Sequence, residues 1–306
     1  MMTNSNDVRA AVLAGHGCDE KGPYLLVNDR VRNVQERFDV RGRTFSLRRL
    51  PTRRCVGRHD LETHQKVPCP LDVELLPDAK DTVCPACQEA TGFNPSFYNT
   101  DFISPQQRAY NAEPHIAYLA YFSPGHVKAG ITGASRGIRR LLEQGARAGR
   151  IVGRFDDAYA ARELEAALCA QPGIAETMRA AKKTDLLANE RYDAAEAFAV
   201  LEREAARLAQ VEAVARAGFA PEPSQDFSPF YFGGPSPSCD DLQQPDGPDD
   251  VCGGRCVGMV GSAIVFEQGG TNFAVCLKDW ESHEIELLEN EVACAYDFAP
   301  QQMSLL

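Results

Sequence analysis

Two groups of residues in this chain have types and spacing that permit chemistry. One is a set of four cysteines, Cys55, Cys69, Cys84 and Cys87. The other is a phenol, an ammonium, a guanidinium and a carboxylate: Tyr118, Lys128, Arg140 and Glu165. Arginine and lysine neutralise a phosphate, glutamate holds a divalent cation, and tyrosine orients or deprotonates water. Together these are the groups used to grip or cut a phosphodiester. Arg136, Arg139 and Lys183 are further candidates for contact with a phosphate backbone. The plain alternative is that all of them are core-edge and surface residues of a small α/β unit.

The elements that must carry the second group are legible. HIAYLAYFSPGHVKAGIT reads as two β runs around a turn at 123–126, with Tyr118 in the first and Lys128 in the second. ASRGIRRLLEQGARAGRIVGRF reads as a helix with Arg139 and Arg140 in its early turns, then a third strand. DDAYAARELEAAL reads as a helix with Glu165 between Leu164 and Leu168.

This order resembles the GIY-YIG nuclease superfamily over His115 to Leu168, roughly a sixth of the 306 residues. Carried over residue by residue, Tyr118 stands at the first-motif tyrosine, Gly130 at the second-motif glycine, Arg140 at the helix arginine and Glu165 at the metal-binding glutamate. The resemblance implies Mg²⁺ or Mn²⁺ at Glu165. It is nearest the branch reading Lys-x-Gly-Ile-Thr, here Lys128 to Thr132, with a Glu-Gln-Gly-Ala run at 143–146. The chain departs from the pattern at two positions: Lys128 stands where a second tyrosine is usual, and Ile116 where glycine is. A lysine at neutral pH is a cation and a poor base unless buried, so the departure favours binding without turnover. The wider layout, a cysteine-rich segment before the core and a small β segment after it, is similar to a bacterial family of unknown function.

The four cysteines lie in RRCVGRHDLETHQKVPCPLDVELLPDAKDTVCPACQ. Cys84 and Cys87 form a CxxC knuckle whose turn lets two thiolates face one ion, and zinc favours four such soft ligands. Cys55 and Cys69 are the natural second pair, though His59 or His64 can substitute for either. A redox couple and plain unliganded thiols remain alternatives. Cys252, Cys256, Cys276 and Cys294 lie in strand-like runs and Cys169 on an apolar helix face, which reads as packing.

Net charge is −11, which argues against wholesale coating of nucleic acid, but the charge is uneven. Ten arginines between Arg30 and Arg58 face two acids, and seven basic residues between Lys128 and Arg154 face one. Locally basic segments in an acidic chain suit site-specific phosphate contact, so DNA or RNA is the expected partner. No apolar run of about 18 residues is present, and MMTNSNDVRA has no apolar signal core, so no membrane and a cytoplasmic location are expected.

The expected fold class is α+β: a small GIY-YIG-like core flanked by an N-terminal β/zinc module, a long helix and a C-terminal β segment. The expected boundaries are 1–100 for N-terminal strands with the cysteine module, 101–172 for the core and 173–218 for the helical segment. A flexible acidic Pro/Gly linker follows at 219–250, then a β segment at 251–306, which can pair with the N-terminal strands into one interrupted module. Three functions are compatible with this reading. The first is a metal-dependent nuclease with a structural zinc. The second is a nucleic-acid-binding protein, for tRNA or structured DNA, without turnover. The third is an enzyme of small-molecule or aminoacyl metabolism using the same pocket.

Overall fold

The computed structural model describes residues 9–61, 63, 65–93, 97, 103–243, 249–294 and 296. It is a mixed α+β chain with a large sheet, a smaller one and a cysteine cluster. The N-terminal strands are β1 (Arg9–Asp19), β2 (Gly22–Asp29), β3 (Val34–Asp39) and β4 (Thr44–Arg54). Three short strands follow, β5 (Arg58–His59), β6 (Lys66–Val67) and β7 (Glu74–Leu75), then helices α1 (Pro85–Thr91) and α2 (Pro105–Asn111). The centre of the chain holds β8 (His115–Ser123), β9 (His126–Gly133), α3 (Arg139–Glu143), β10 (Ala148–Phe155), α4 (Ala158–Cys169) and β11 (Ile174–Ala175). Helices α5 (Ala180–Asn189), α6 (Ala194–Leu208) and α7 (Glu212–Arg216) come next, then β12 (Gln225–Asp226), α8 (Ser228–Phe232) and β13 (Leu242–Gln243). The last strands are β14 (Val251–Val260), β15 (Ala263–Gln268), β16 (Thr271–Cys276) and β17 (His283–Glu289).

Both ends of the chain build the large sheet, whose order is β13-β16-β15-β14-β4-β17-β1-β2-β3, with β7 beside β4. β17 is inserted between β1 and β4, antiparallel to both, so the tail closes against the first strands of the chain. Phe38 meets Phe45 and Phe45 meets Phe266, each edge-on at 5.2 Å between ring centres. Rings from β3, β4 and β15 thus share one core, which requires the sheet to curl. Cys252 and Cys256 are small buried members of that core.

The smaller sheet has the order β11-β9-β8-β10-β12. All nine residues of β8 are buried, so both of its faces are covered. Alternation sends Ala117, Leu119 and Tyr121 to one side, under α4 and α6, with Leu164, Leu168, Leu201 and Leu208. Tyr118, Ala120 and Phe122 face the other way, where they meet Leu141, Leu186 and Val265 of the large-sheet side. The small sheet is therefore a middle layer between helices and the large sheet.

Two segments differ in detail from their sequence patterns. The helical stretch after the core is broken between α5 and α6, where Asp193 caps α6 by accepting from the Glu196 N–H at 2.8 Å. Tyr192, just before the cap, turns inward and donates to Asp226 at 2.7 Å. In the Pro/Gly/Asp-rich stretch, Phe227 and Tyr231 are 1% exposed, and the Tyr231 hydroxyl bonds to the Ala146 carbonyl at 2.8 Å. Its run FSPFYF carries enough aromatic surface to pin α8 between the two sheets. No helix is long and apolar enough to cross a membrane, among the described residues.

Candidate phosphate site and metal centre

The cysteine cluster assembles from three places. Cys55 follows β4, Cys69 lies in the loop before β7, and Cys84 and Cys87 sit at the start of α1, with Pro85 as its first residue. Their four Sγ atoms lie within 4.8 Å of one another and all four side chains are buried. Cys69 and Cys84 are 4.0 Å apart, near the ~3.8 Å edge of a tetrahedron with 2.3 Å metal–sulfur bonds. The Cys84 and Gly57 N–H groups point at the Cys55 sulfur, at 3.1 and 3.4 Å, as peptide donors do around a metal-bound thiolate. Burial pushes the Cys55 thiol up to about 11, and pushes Cys87 up further, with Cys55 adding to it. Cys69 moves the other way: burial raises it, but hydrogen bonds from the Val73 and Leu71 N–H groups and from Cys87 and Cys55 bring it down, and a soft metal would hold all four as thiolates. The donor set fits a metal such as zinc. His59 is not part of the cluster, and His64 lies outside the described residues.

Two of the second group, Arg140 and Glu165, line a cavity of about 670 Å³. α4 brings Glu165 to it. Asp157 caps this helix, accepting from the Ala160 N–H at 2.8 Å. Ala158, Ala161, Leu164 and Leu168 form the buried face, and Glu165 shares that face at 7% exposure. A carboxylate on a core-facing stripe must have a partner. Here it is Arg162, which also reaches Glu176 at 3.0 Å. Arg140, from α3, lines the same cavity, as do Arg136 and Arg162.

Tyr118 and Lys128 stand behind Arg140 and do not line the cavity. β8 and β9 pair Tyr118 with Gly130, and this glycine is demanded by the phenol: a Cβ there would lie 2.4 Å from the Tyr118 hydroxyl oxygen. That oxygen accepts a hydrogen bond from the Gln144 amide at 2.6 Å and another from Arg140. Burial raises the Tyr118 phenol above its usual range, with Arg140 pulling the other way. The Lys128 ammonium donates to the Ala129 carbonyl at 3.0 Å and lies 5.9 Å from the Tyr118 ring centre. Burial lowers its pKa, and Glu165 opposes that shift. Lys183 donates to the Gln144 carbonyl at 2.8 Å; burial, then Lys128 and Arg140, bring it down to about 8. Lys183 lies over the Phe122 ring at 5.1 Å, so two cations, Arg140 and Lys128, stand beside the phenol.

The other arginines divide. Arg136 pairs with Glu143 and still lines the cavity. Arg139 opens instead on a separate cavity of about 430 Å³ beside Asp19, Glu20 and Lys21. Sequence reading missed Tyr110, Asn111, His115 and Arg162, which line the larger cavity, and gave His59 and Thr132, also on its lining, no part in it. Arg162 carried a signal, three residues before Glu165 on the same helix, and Thr132 closed the Lys-x-Gly-Ile-Thr run without being given a role; Asn111 carried none.

Residues 104–285 match the family described as "Protein of unknown function (DUF2797)", and the chain belongs to that family. The match begins after the cysteine cluster and includes the small sheet and most of the C-terminal strands. No curated protein and no solved structure matches this chain.

Proposed function

We propose that this DUF2797 protein acts on the phosphodiester backbone of nucleic acid, as a metal-dependent nuclease of GIY-YIG type. The observation that carries the reading is that Arg140 and Glu165, far apart in the chain, line one cavity, with Tyr118 and Lys128 directly behind Arg140. Arg140 would take the non-bridging phosphate oxygens through its guanidinium, with Arg136 alongside. Tyr118, raised by burial, keeps its proton at neutral pH, so it holds Arg140 in place and is not a base. It is a positioning residue. Lys128, bonded to the Ala129 carbonyl and outside the cavity lining, would add positive charge behind Arg140 and Glu165 without touching the substrate, so it too is a positioning residue.

Glu165 would be the ligand to a Mg²⁺ or Mn²⁺ ion and Glu176 a second, but Arg162 now pairs with both, so it would have to give way. When bound, such an ion would supply charge neutralisation and an activated water. The cysteine cluster would hold a structural zinc.

Binding without turnover is the second reading. It is supported by Arg162, which already neutralises Glu165, and by Lys128 where a phenol is usual. Purified protein with Mg²⁺ or Mn²⁺ should cut at least one of single-stranded, branched or duplex DNA and RNA, and Glu165→Ala should abolish cutting. If every substrate stays intact with both proteins while salt-sensitive binding depends on Arg140 and Lys128, the second reading holds.

A further inference from the structure

The floor of the large cavity holds buried polar groups that the protein itself leaves unanswered. Asn111, at the end of α2, is 1% exposed, and neither its amide nitrogen nor its amide oxygen has a hydrogen-bond partner. Thr132, on β9, is 5% exposed with its hydroxyl likewise unpartnered. Both line the cavity that Arg140 and Glu165 line. An orphaned buried polar group carries a desolvation penalty, and such penalties persist where a ligand or an ordered water answers them. Other walls are aromatic. Tyr110 packs edge-on against His115 at 5.3 Å, and Phe93 is 47% exposed at the rim. The His115 Nδ1 donates to the Glu113 carbonyl at 2.8 Å, which makes Nε2 an acceptor.

We infer that this cavity takes one unstacked nucleobase of a nucleic-acid strand, of the adenine type, adjacent to the phosphate on Arg140. The inference rests on the phosphodiester reading above and narrows its substrate to strands with an unpaired nucleotide. A carboxamide presents one donor and one acceptor side by side, the complement of the adenine N6–H and N7 edge. A cavity of about 670 Å³ lies within the ~300–1,000 Å³ range of small-ligand sites. Groups buried to this depth cannot reach a base that remains stacked in a duplex, so the nucleotide must be extruded or already unpaired. Phe93 at the rim offers a face on which a base can stack.

The test is fluorescence anisotropy with end-labelled octauridylate, octauridylate carrying one central adenosine, and that second strand annealed to its complement. The deoxy series is run in parallel. The single-stranded adenosine octamer should bind roughly 10-fold more tightly than octauridylate, and the duplex should lose that advantage. Asn111→Leu, and the near-isosteric Asn111→Asp if the leucine variant does not fold, should erase the adenosine preference. Both should leave octauridylate affinity within about twofold of the parent. Thr132→Val should reduce the preference, and Arg140→Ala should weaken all strands together. Binding that depends on Arg140 but shows no adenosine preference, or a preference that survives the Asn111 variants, overturns the base pocket alone. In that case ordered water answers Asn111. Absence of any Arg140-dependent binding overturns the phosphodiester reading as well.

Discussion

Gly130→Ala is the substitution whose consequence follows most directly from the geometry. The added methyl would sit 2.4 Å from the Tyr118 oxygen and 2.6 Å from Cζ, where ordinary contact needs at least 3.4 Å. The phenol must therefore give way by about 1 Å. It has little room to do so, being 1% exposed on a strand buried along its whole length and bonded to Gln144 at 2.6 Å. Overpacking of this kind costs roughly 1–3 kcal/mol, and loss of the Gln144 bond adds about 1 kcal/mol. A cost of about 2–4 kcal/mol corresponds to a fall in thermal midpoint of roughly 4–15 °C, measured by calorimetry. The cause can be isolated with a double-mutant cycle. In a Tyr118→Leu background the phenol is gone, and the same methyl should be neutral or stabilising because it fills vacated space. If Gly130→Ala costs as much with leucine at 118 as with tyrosine, to within about 0.5 kcal/mol, the phenol is not what this glycine accommodates.

Other consequences are simpler to read. Lys183 falls from an ordinary 10.5 to about 8 through burial, so between those values the unfolded chain binds more protons than the folded one. The penalty of its buried charge is present in full below pH 8, and stability should rise from pH 8 to 10.5; Lys183→Met should flatten that rise in urea titrations across the window. Arg147 is 5% exposed, with two of its three nitrogens unpartnered and its guanidinium 4.6 Å from the centre of the Tyr192 ring. Arg147→Met, which keeps the stem and removes an ill-satisfied charge, should leave the thermal midpoint unchanged or raise it, and a drop above about 2 kcal/mol would show that the single bond to Glu190 outweighs desolvation. Elemental analysis should find about one zinc per chain, lost in Cys84→Ser. Hydrogen exchange in that variant should speed up over residues 55–91 while β8 to β10 stay protected, because among the described residues the hydrophobics packed on the cluster, Val73, Leu75 and Val83, are only half-buried.

The sequence exposed what has local periodicity or fixed ligand spacing. The CxxC at Cys84 and Cys87, the alternation of β8 and the apolar face of α4 were readable because each repeats within a few residues. Glu165 stood out for interrupting such a face. What it concealed was long-range. Nothing in HEIELLE says that β17 will be inserted between β1 and β4, since antiparallel registry is chosen by partners more than 200 residues away. Composition also misjudged the stretch around FSPFYF, where proline, glycine and aspartate dominate the count, but the four aromatic side chains of that run, Phe227, Phe230, Tyr231 and Phe232, pack into the core. Asn111 was silent for a different reason. Its importance lies in having no partner, and an unmet hydrogen bond leaves no mark on spacing.

The cysteine cluster and the cavity are less separate than their sequence distance suggests. α1 begins at the cluster with Cys84 and Cys87 and ends at Thr91, which lines the cavity. Its cap, Gly92, accepts a hydrogen bond from the Ser104 hydroxyl at 2.8 Å. The same hydroxyl caps α2 by accepting from the Gln107 N–H at 3.1 Å, and the far end of α2 is Asn111. An unbroken path of helix, cap and helix therefore runs from the thiolates to the proposed base-reading amide. Arg140 and Glu165 are held mainly by α3 and α4 against the small sheet, with Phe97, between α1 and α2, touching α4 edge-on at Tyr159 at 5.3 Å. Two supports of unequal strength imply an order of failure: losing the metal should blur recognition of the base first and leave the grip on phosphate standing.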